Sequence, residues 1–102
     1  MQFWDIETRG GVVIAAYRNP PTNYLVAGAT AELAALIEQW RDPAVRAVVL
    51  TGAVPQRYIT HYSVEELVAW DGDPDKLRAM AYGMIHGYHT LLRSLAYLDT
   101  PV

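Results

Sequence analysis

Between Val12 and Gly52 the chain changes its hydrophobic period twice. An apolar run, Val12–Tyr17, ends at Arg18-Asn19-Pro20-Pro21, where proline removes a ladder donor and restricts the residue before it. Leu33, Leu36, Ile37 and Trp40 then recur at i, i+3, i+4 and i+7, one stripe of a helix. Thr30 is the expected N-cap, Glu32 lies near the positive helix end, and Asp42-Pro43 stops the helix. Val45–Gly52 is apolar again and reads as a buried strand. Strand, helix, strand at this spacing predicts a right-handed βαβ crossover. Upstream, Gln2–Thr8 alternates and is followed by Arg9-Gly10-Gly11, which predicts a hairpin strand. The fold class is therefore α/β: a small, mainly parallel sheet with an N-terminal hairpin strand.

The second half is organised differently. Gly52–Ser63 is an aromatic loop. Ser63-Val64-Glu65-Glu66 fits a capping box and opens a short helix, interrupted by Asp71-Gly72-Asp73-Pro74-Asp75. A long helix is predicted from about Asp75 to Leu98, packed on the sheet. Leu77, Met80, Ala81, Met84, Ile85, Tyr88, Leu91, Leu92 and Leu95 make its apolar stripe. Its other face is small (Ala79, Gly83, Gly87, Thr90, Ser94), although each interior glycine costs roughly 1 kcal/mol against alanine. Such a face suits a closely packed neighbour, so both sides of the helix are expected to be covered, by more than this chain supplies. Glycines tolerated on a solvent face are the other reading. Asp99-Thr100-Pro101-Val102 reads as the start of a further strand, so residues 1–102 are expected to be an incomplete domain.

Composition excludes several classes. With 102 residues there is room for one domain or part of one. The chain is 52% hydrophobic and 19% charged, which is not the signature of a disordered tail. Its net charge of −3 has no Lys/Arg cluster behind it, so no nucleic-acid partner is expected. No apolar run approaches the ~20 residues that span a bilayer, and Met1–Glu7 lacks the basic start of a secretory signal. A cytoplasmic location, away from membranes, is the expectation. Zero cysteines exclude disulfides and thiol nucleophiles. His86 and His89 stand at i, i+3, but no acidic residue or cysteine completes a ligand set, and no metal site is expected.

Four ordered segments resemble the crotonase (enoyl-CoA hydratase/isomerase) superfamily. Gly11–Leu25, with Arg18-Asn19-Pro20-Pro21-Thr22-Asn23-Tyr24-Leu25, is similar to that family's opening strand and Arg-Pro-x-x-Asn-Ala-Leu turn. Asp42–Gly52 is close to its Asp-Pro-x-Val-Arg-x-Val-Val-Leu-Thr-Gly strand. Tyr58–Leu67 stands where the family has Phe-x-Ala-Gly-Ala-Asp-Leu-x-Glu-Leu, and Leu95–Val102 resembles the entry to Pro-Val-Ile-Ala-Ala-Val-Asn-Gly. The resemblance covers nearly all of this chain but only the N-terminal part of the family's domain.

It implies the N-terminal portion of a spiral of ββα units. It also implies an acyl-CoA substrate, the coenzyme A entering as part of the thioester and not as a bound cofactor. The family's chemistry is hydration or isomerisation through an oxyanion hole of two backbone N–H groups, the arrangement that stabilises an enolate oxygen. The first of these N–H groups maps to Thr60. His61, Tyr62 and Ser63 replace the family's glycine, small residue and aspartate. The second oxyanion glycine and the acid and base glutamates have no counterpart among residues 1–102, and the adjacent Glu65 and Glu66 point in different directions on a helix. The chain by itself is accordingly expected to be inactive as a hydratase.

The remaining candidates each carry two readings. His61 is a substrate-contacting or acid/base histidine, or a loop histidine bonded locally. Arg57 is suited to coenzyme A phosphates, or is a surface arginine. Asn23, Tyr24 and Leu25 match the turn that lines the family's adenine and pantetheine channel, where Tyr24 stacks on adenine or simply packs. Tyr58 belongs to the same substrate-facing loop. Trp4, Trp40 and Trp70 read as core or subunit-contact residues. A homo-oligomer, trimeric or hexameric in the intact protein, is implied by the family. The alternative to an enzyme is a non-catalytic crotonase-like module that self-associates or binds a partner through the Gly83/Gly87 face.

Overall fold

A glycine pair makes the first turn. Gly10 and Gly11 hold φ of 56° and 86°, the left-handed conformation that a tight hairpin demands and that glycine adopts without a Cβ clash. They join β1 (Trp4–Arg9) to β2 (Val12–Tyr17) in antiparallel register, Trp4 opposite Tyr17 and Arg9 opposite Val12. The computed structural model describes residues 1–69 and 72–102. After β2, α1 (Ala27–Gln39) crosses over and β3 (Ala47–Gly52) returns parallel to β2, Val12 beside Ala47 and Tyr17 beside Gly52. The sheet order is β1-β2-β3, so its pairings are one antiparallel and one parallel; the expectation of a mainly parallel sheet is corrected to a mixed one.

The core lies between one sheet face and α1. Trp4, Val13, Ala15, Tyr17 and Val48 meet Ala29, Leu33, Leu36, Ile37 and Trp40. Trp4 is sealed in further by Nε1–H donating 3.1 Å to the Ala29 carbonyl, and its ring lies 5.0 Å from that of Tyr17. Trp4 and Trp40 are thus core residues, while Trp70 and Asp71 lie outside the described residues. On the opposite sheet face Val12, Ile14, Ala16 and Ala47 are half-buried and Val49 is exposed. The reading of β3 as a buried strand therefore holds for Val48 alone.

The start of α1 also differs from expectation. Its N-cap is Val26, without a side-chain cap, and Thr30 sits inside the first turns with its hydroxyl donating 2.8 Å back to the Ala27 carbonyl. The free Ala27 N–H instead donates to the Glu66 carboxylate, at 3.2 and 3.4 Å, so the cap arrives from the other half of the chain. Glu32 accepts from the backbone of Gln2 and Phe3 at 2.8 and 2.9 Å, tying the N-terminus to the helix.

Ser63 caps α2 (Val64–Val68) as the capping pattern requires, its hydroxyl accepting from Glu66 N–H at 3.3 Å. Asp73 caps α3 (Pro74–Ala96) through Lys76 N–H at 3.1 Å, with Pro74 in the first turn, where its missing donor is harmless. Of the described elements α3 lies nearest to α1, and it reaches the core over the sheet only through its C-terminal part. It buries only Leu91 fully; Leu95 and Leu98 flank the same core. Tyr82, Ile85, Leu92 and Tyr97 are exposed, and nothing lies within 4 Å of a Cβ placed on Gly83 or Gly87. Neither face of α3 is closely covered by the described residues. Downstream, Thr100 Oγ1 donates 3.0 Å to the Trp40 carbonyl, and the Pro101 carbonyl accepts from Val48 N–H at 2.8 Å. The segment read as the start of a further strand is therefore tied to the free edge of β3.

Candidate functional site

Asn23 organises the site. It is fully buried, with φ of 60°, a conformation asparagine tolerates better than most residues. Its Oδ1 accepts from Asn19 N–H at 2.6 Å, while Nδ2 donates to the Tyr17 carbonyl at 3.1 Å and to the Tyr58 carbonyl. One amide thus fastens the end of β2, its following turn and the aromatic loop together. The Tyr24 carbonyl is held by Tyr17 O–H at 2.6 Å and by Asn19 Nδ2 at 2.8 Å. Gly52 supplies the other restraint. A Cβ there would lie 1.9 Å from the Arg57 carbonyl oxygen, so the loop folds back directly over a residue with no side chain.

Held this way, residues 58–63 run beside residues 23–25. Leu25 N–H donates to the His61 carbonyl and Ser63 N–H to the Leu25 carbonyl, both at 2.8 Å. Thr60 N–H lies 3.4 Å from the Asn23 carbonyl, at the long end of hydrogen bonding, and its hydroxyl donates 2.9 Å to the Thr22 carbonyl. The His61 ring stacks on Tyr24 with centroids 4.1 Å apart and planes 29° off parallel. His61 Nδ1 is 2.8 Å from the Tyr62 carbonyl. Its φ is outside the left-handed region, so the family's glycine is replaced without backbone strain.

Tyr62 turns its hydroxyl to Glu66, donating 2.6 Å to Oε2. Burial first, and then the hydrogen bond and negative charge of Glu66, push the Tyr62 phenol far above its ordinary value. Burial also raises Tyr58 and Tyr17. Glu65 accepts from Ser63 Oγ at 3.1 Å, so the two adjacent glutamates do diverge.

Above the loop is a cavity of about 410 Å³. Leu25, Ile59, Thr60, His61 and Tyr62 form one wall; Met84, Ile85, Tyr88 and His89 of α3 form the other. A second, more apolar cavity of about 450 Å³ continues between α1 and α3, past Ala31, Ala34 and Gly87, and shares Tyr62, Met84 and Tyr88 with the first. The structure thus brings together Thr60, His61, Tyr62 and Leu25. Asn23 and Ser63 are buried supports behind them. Arg57 and Tyr58 face a different cleft, beside Thr51–Gln56. The α3 wall was hidden in the sequence because its residues share the stripe read as core. Among the described residues no group of three or more His, Asp or Glu side chains could hold a metal ion, and no helix is long and apolar enough to cross a membrane.

No family sequence model matches the chain, and no curated protein matches it in sequence. Solved structures do match in shape. An enoyl-CoA hydratase/isomerase from Marinobacter aquaeolei superposes with a TM-score of 0.84 at 14% identity, over 98% of this chain and 39% of its own. One from Mycobacterium paratuberculosis gives 0.78 at 25% identity, over 97% and 39%. Pseudomonas aeruginosa DspI gives 0.78 at 22% identity, over 98% and 39%. The chain thus spans about two-fifths of the length of the structures it resembles. Residues 1–102 have the α/β fold of the corresponding part of the enoyl-CoA hydratase/isomerase, or crotonase, structures.

Proposed function

We propose that this chain binds an acyl-CoA thioester at the 58–63 loop and forms one part of a hydratase/isomerase-like site. The supporting observation is the shared cavity: the loop carrying Thr60, His61 and Tyr62 faces an apolar wall of α3, within a fold found in enoyl-CoA hydratase/isomerase structures. In this reading the thioester oxygen takes the Thr60 N–H, which otherwise has only the distant Asn23 carbonyl. The acyl chain enters the trough past Tyr62, Met84 and Tyr88. Leu25 and Tyr24 line the approach, Asn23 and Ser63 hold the loop, and Arg57 with Tyr58 meets the coenzyme A phosphates from the neighbouring cleft. Coenzyme A is a portion of the substrate, and no separate cofactor takes part. The setting is the cytoplasm, and the working assembly is a homo-oligomer.

The chain alone is expected not to hydrate crotonyl-CoA. Among the described residues, one oxyanion donor and no pair of converging carboxylates leave most of the transition-state stabilisation missing, since a single such donor is worth about 2.7–4 kcal/mol. Binding calorimetry with butyryl-CoA tests the reading. Thr60→Pro deletes the assigned N–H and is expected to weaken binding roughly 2- to 10-fold, the worth of one net hydrogen bond. Unchanged affinity would overturn the Thr60 assignment, as would hydration of crotonyl-CoA by the 102-residue chain overturn the expectation of inactivity.

A second reading rests on the exposed apolar side of α3, where Tyr82 is 80% and Ile85 55% accessible. Large exposed apolar patches mark association sites. In this reading the chain is a self-associating or partner-binding module, and light scattering that shows an assembly indifferent to acyl-CoA supports it.

A further inference from the structure

We propose that His61 is the base that removes the α-proton of the bound thioester, an assignment that rests on the acyl-CoA reading above. The ring is already set up for the task. A carbonyl oxygen only accepts, so the 2.8 Å contact with the Tyr62 carbonyl puts the proton of a neutral ring on Nδ1. Nε2 is then the lone-pair nitrogen. Stacking on Tyr24, 4.1 Å between centroids, fixes the plane in which that lone pair lies.

Position supports the same role. His61 directly follows Thr60, and both line the 410 Å³ cavity, so base and oxyanion donor are one peptide apart. Among the described residues, no carboxylate lines that cavity. Glu66 is engaged by Tyr62 and Ala27, and Glu65 by Ser63. Tyr62 keeps its proton, held by burial and by the hydrogen bond to Glu66, and a neutral phenol is a weak base. His89 shares the cavity, but among the described residues no hydrogen bond or ring contact orients its ring as Tyr24 and Tyr62 orient that of His61.

The step balances within the site. The α-carbon–hydrogen bond breaks, the proton passes to Nε2, and the electron pair moves into the thioester as an enolate whose oxygen takes the Thr60 N–H. The imidazolium keeps its Nδ1–H on the Tyr62 carbonyl and returns a proton to the same or a conjugated carbon. Nothing is oxidised, and no co-reactant is consumed.

This half-reaction is visible without full hydratase turnover. The 102-residue chain is incubated with butyryl-CoA in deuterium oxide, and loss of the α-CH₂ proton signal is followed by NMR. The wild-type chain is expected to exchange these protons faster than buffer. His61→Gln is expected to lose at least about 100-fold of that rate, the lower end for general-base catalysis, with butyryl-CoA affinity within about 10-fold of wild type by the single-interaction scale. His61→Ala should be rescued by added imidazole, which a purely structural histidine would not allow. If butyryl-CoA binds but exchange is absent, or is unchanged in His61→Gln, this assignment falls and the binding reading stands. If butyryl-CoA does not bind at all, both fall.

Discussion

At the residue scale, the account turns on side chains that bridge separate segments. Asn23 makes three hydrogen bonds from a fully buried position. Asn23→Ala strands the partners of all three. Each net bond is worth about 0.5–1.5 kcal/mol, and buried groups left unsatisfied add to that, so a loss of about 2–4 kcal/mol is expected in urea unfolding. A loss under about 1 kcal/mol would show that the hub is replaceable. Tyr62 gives a pH-dependent counterpart. Its phenol is raised by burial and by Glu66, and Tyr17 and Tyr58 are raised by burial. A phenol whose folded value exceeds its unfolded value stabilises the fold fully below the unfolded value, near 10. That stabilisation is lost as pH rises towards the folded value. The chain should therefore lose stability above about pH 10, and Tyr62→Phe should flatten that decline. In ultraviolet titration these three phenols should ionise late, above the ordinary phenol range.

At the element scale, the strands and helices were largely legible. β2 occupies the predicted residues; β1 and β3 begin two residues late, and α3 spans nearly the expected length. Hydrophobic period is a local signal and survives reading one residue at a time. What covers a face is not local. The stripe of α3 says that Leu91 and Met84 are apolar, but not that one enters the core while the other walls a cavity. The cap of α1 departs from the sequence expectation for the same reason. Thr30 has the right chemistry nearby, yet the Ala27 N–H is met by Glu66, 39 residues away. The i, i+4 spacing of Tyr62 and Glu66 was the available signal for that pair. The turn around Asn23 and the loop at Thr60 were visible only through the family resemblance, because left-handed backbone and cross-segment amide bonding leave no periodic trace.

Two glycine tests belong to this scale and go in opposite directions. Gly52→Ala places a Cβ 1.9 Å from a backbone oxygen, which cannot rotate away. The cost should reach or exceed the ~1–3 kcal/mol typical of overpacking. Gly83→Ala and Gly87→Ala meet nothing within 4 Å. Helix propensity then dominates, and each should raise the thermal stability of this chain by up to about 1 kcal/mol. Destabilisation by either would mean that another surface already packs on that face.

At the scale of the whole molecule, the chain is elongated. Its radius of gyration is 15.0 Å and its extents are 50 × 29 × 18 Å. A compact domain of this length has a radius near ~13 Å. The excess comes with α3, a 23-residue helix that buries one residue fully. Ile85 and Leu92 remain 55% and 45% exposed beside the trough. Self-association through this helix is the expected consequence. Ile85→Glu with Leu92→Glu should shift light scattering towards monomer while leaving the unfolding midpoint nearly unchanged, because neither side chain is in the core. If the double variant scatters like wild type, association runs through another surface, such as the apolar outer face of the sheet.

The central claim is that the 58–63 loop and the α3 wall form one acyl-thioester site. Amide chemical-shift mapping of the full chain during a butyryl-CoA titration tests it most directly, with free coenzyme A as the control. The account predicts saturable shifts at Thr60, His61 and Tyr62, accompanied by Met84 and Tyr88 across the cavity, and for the acyl-dependent part no equivalent with coenzyme A alone. Shifts confined to other surfaces, or none at millimolar ester, would contradict it.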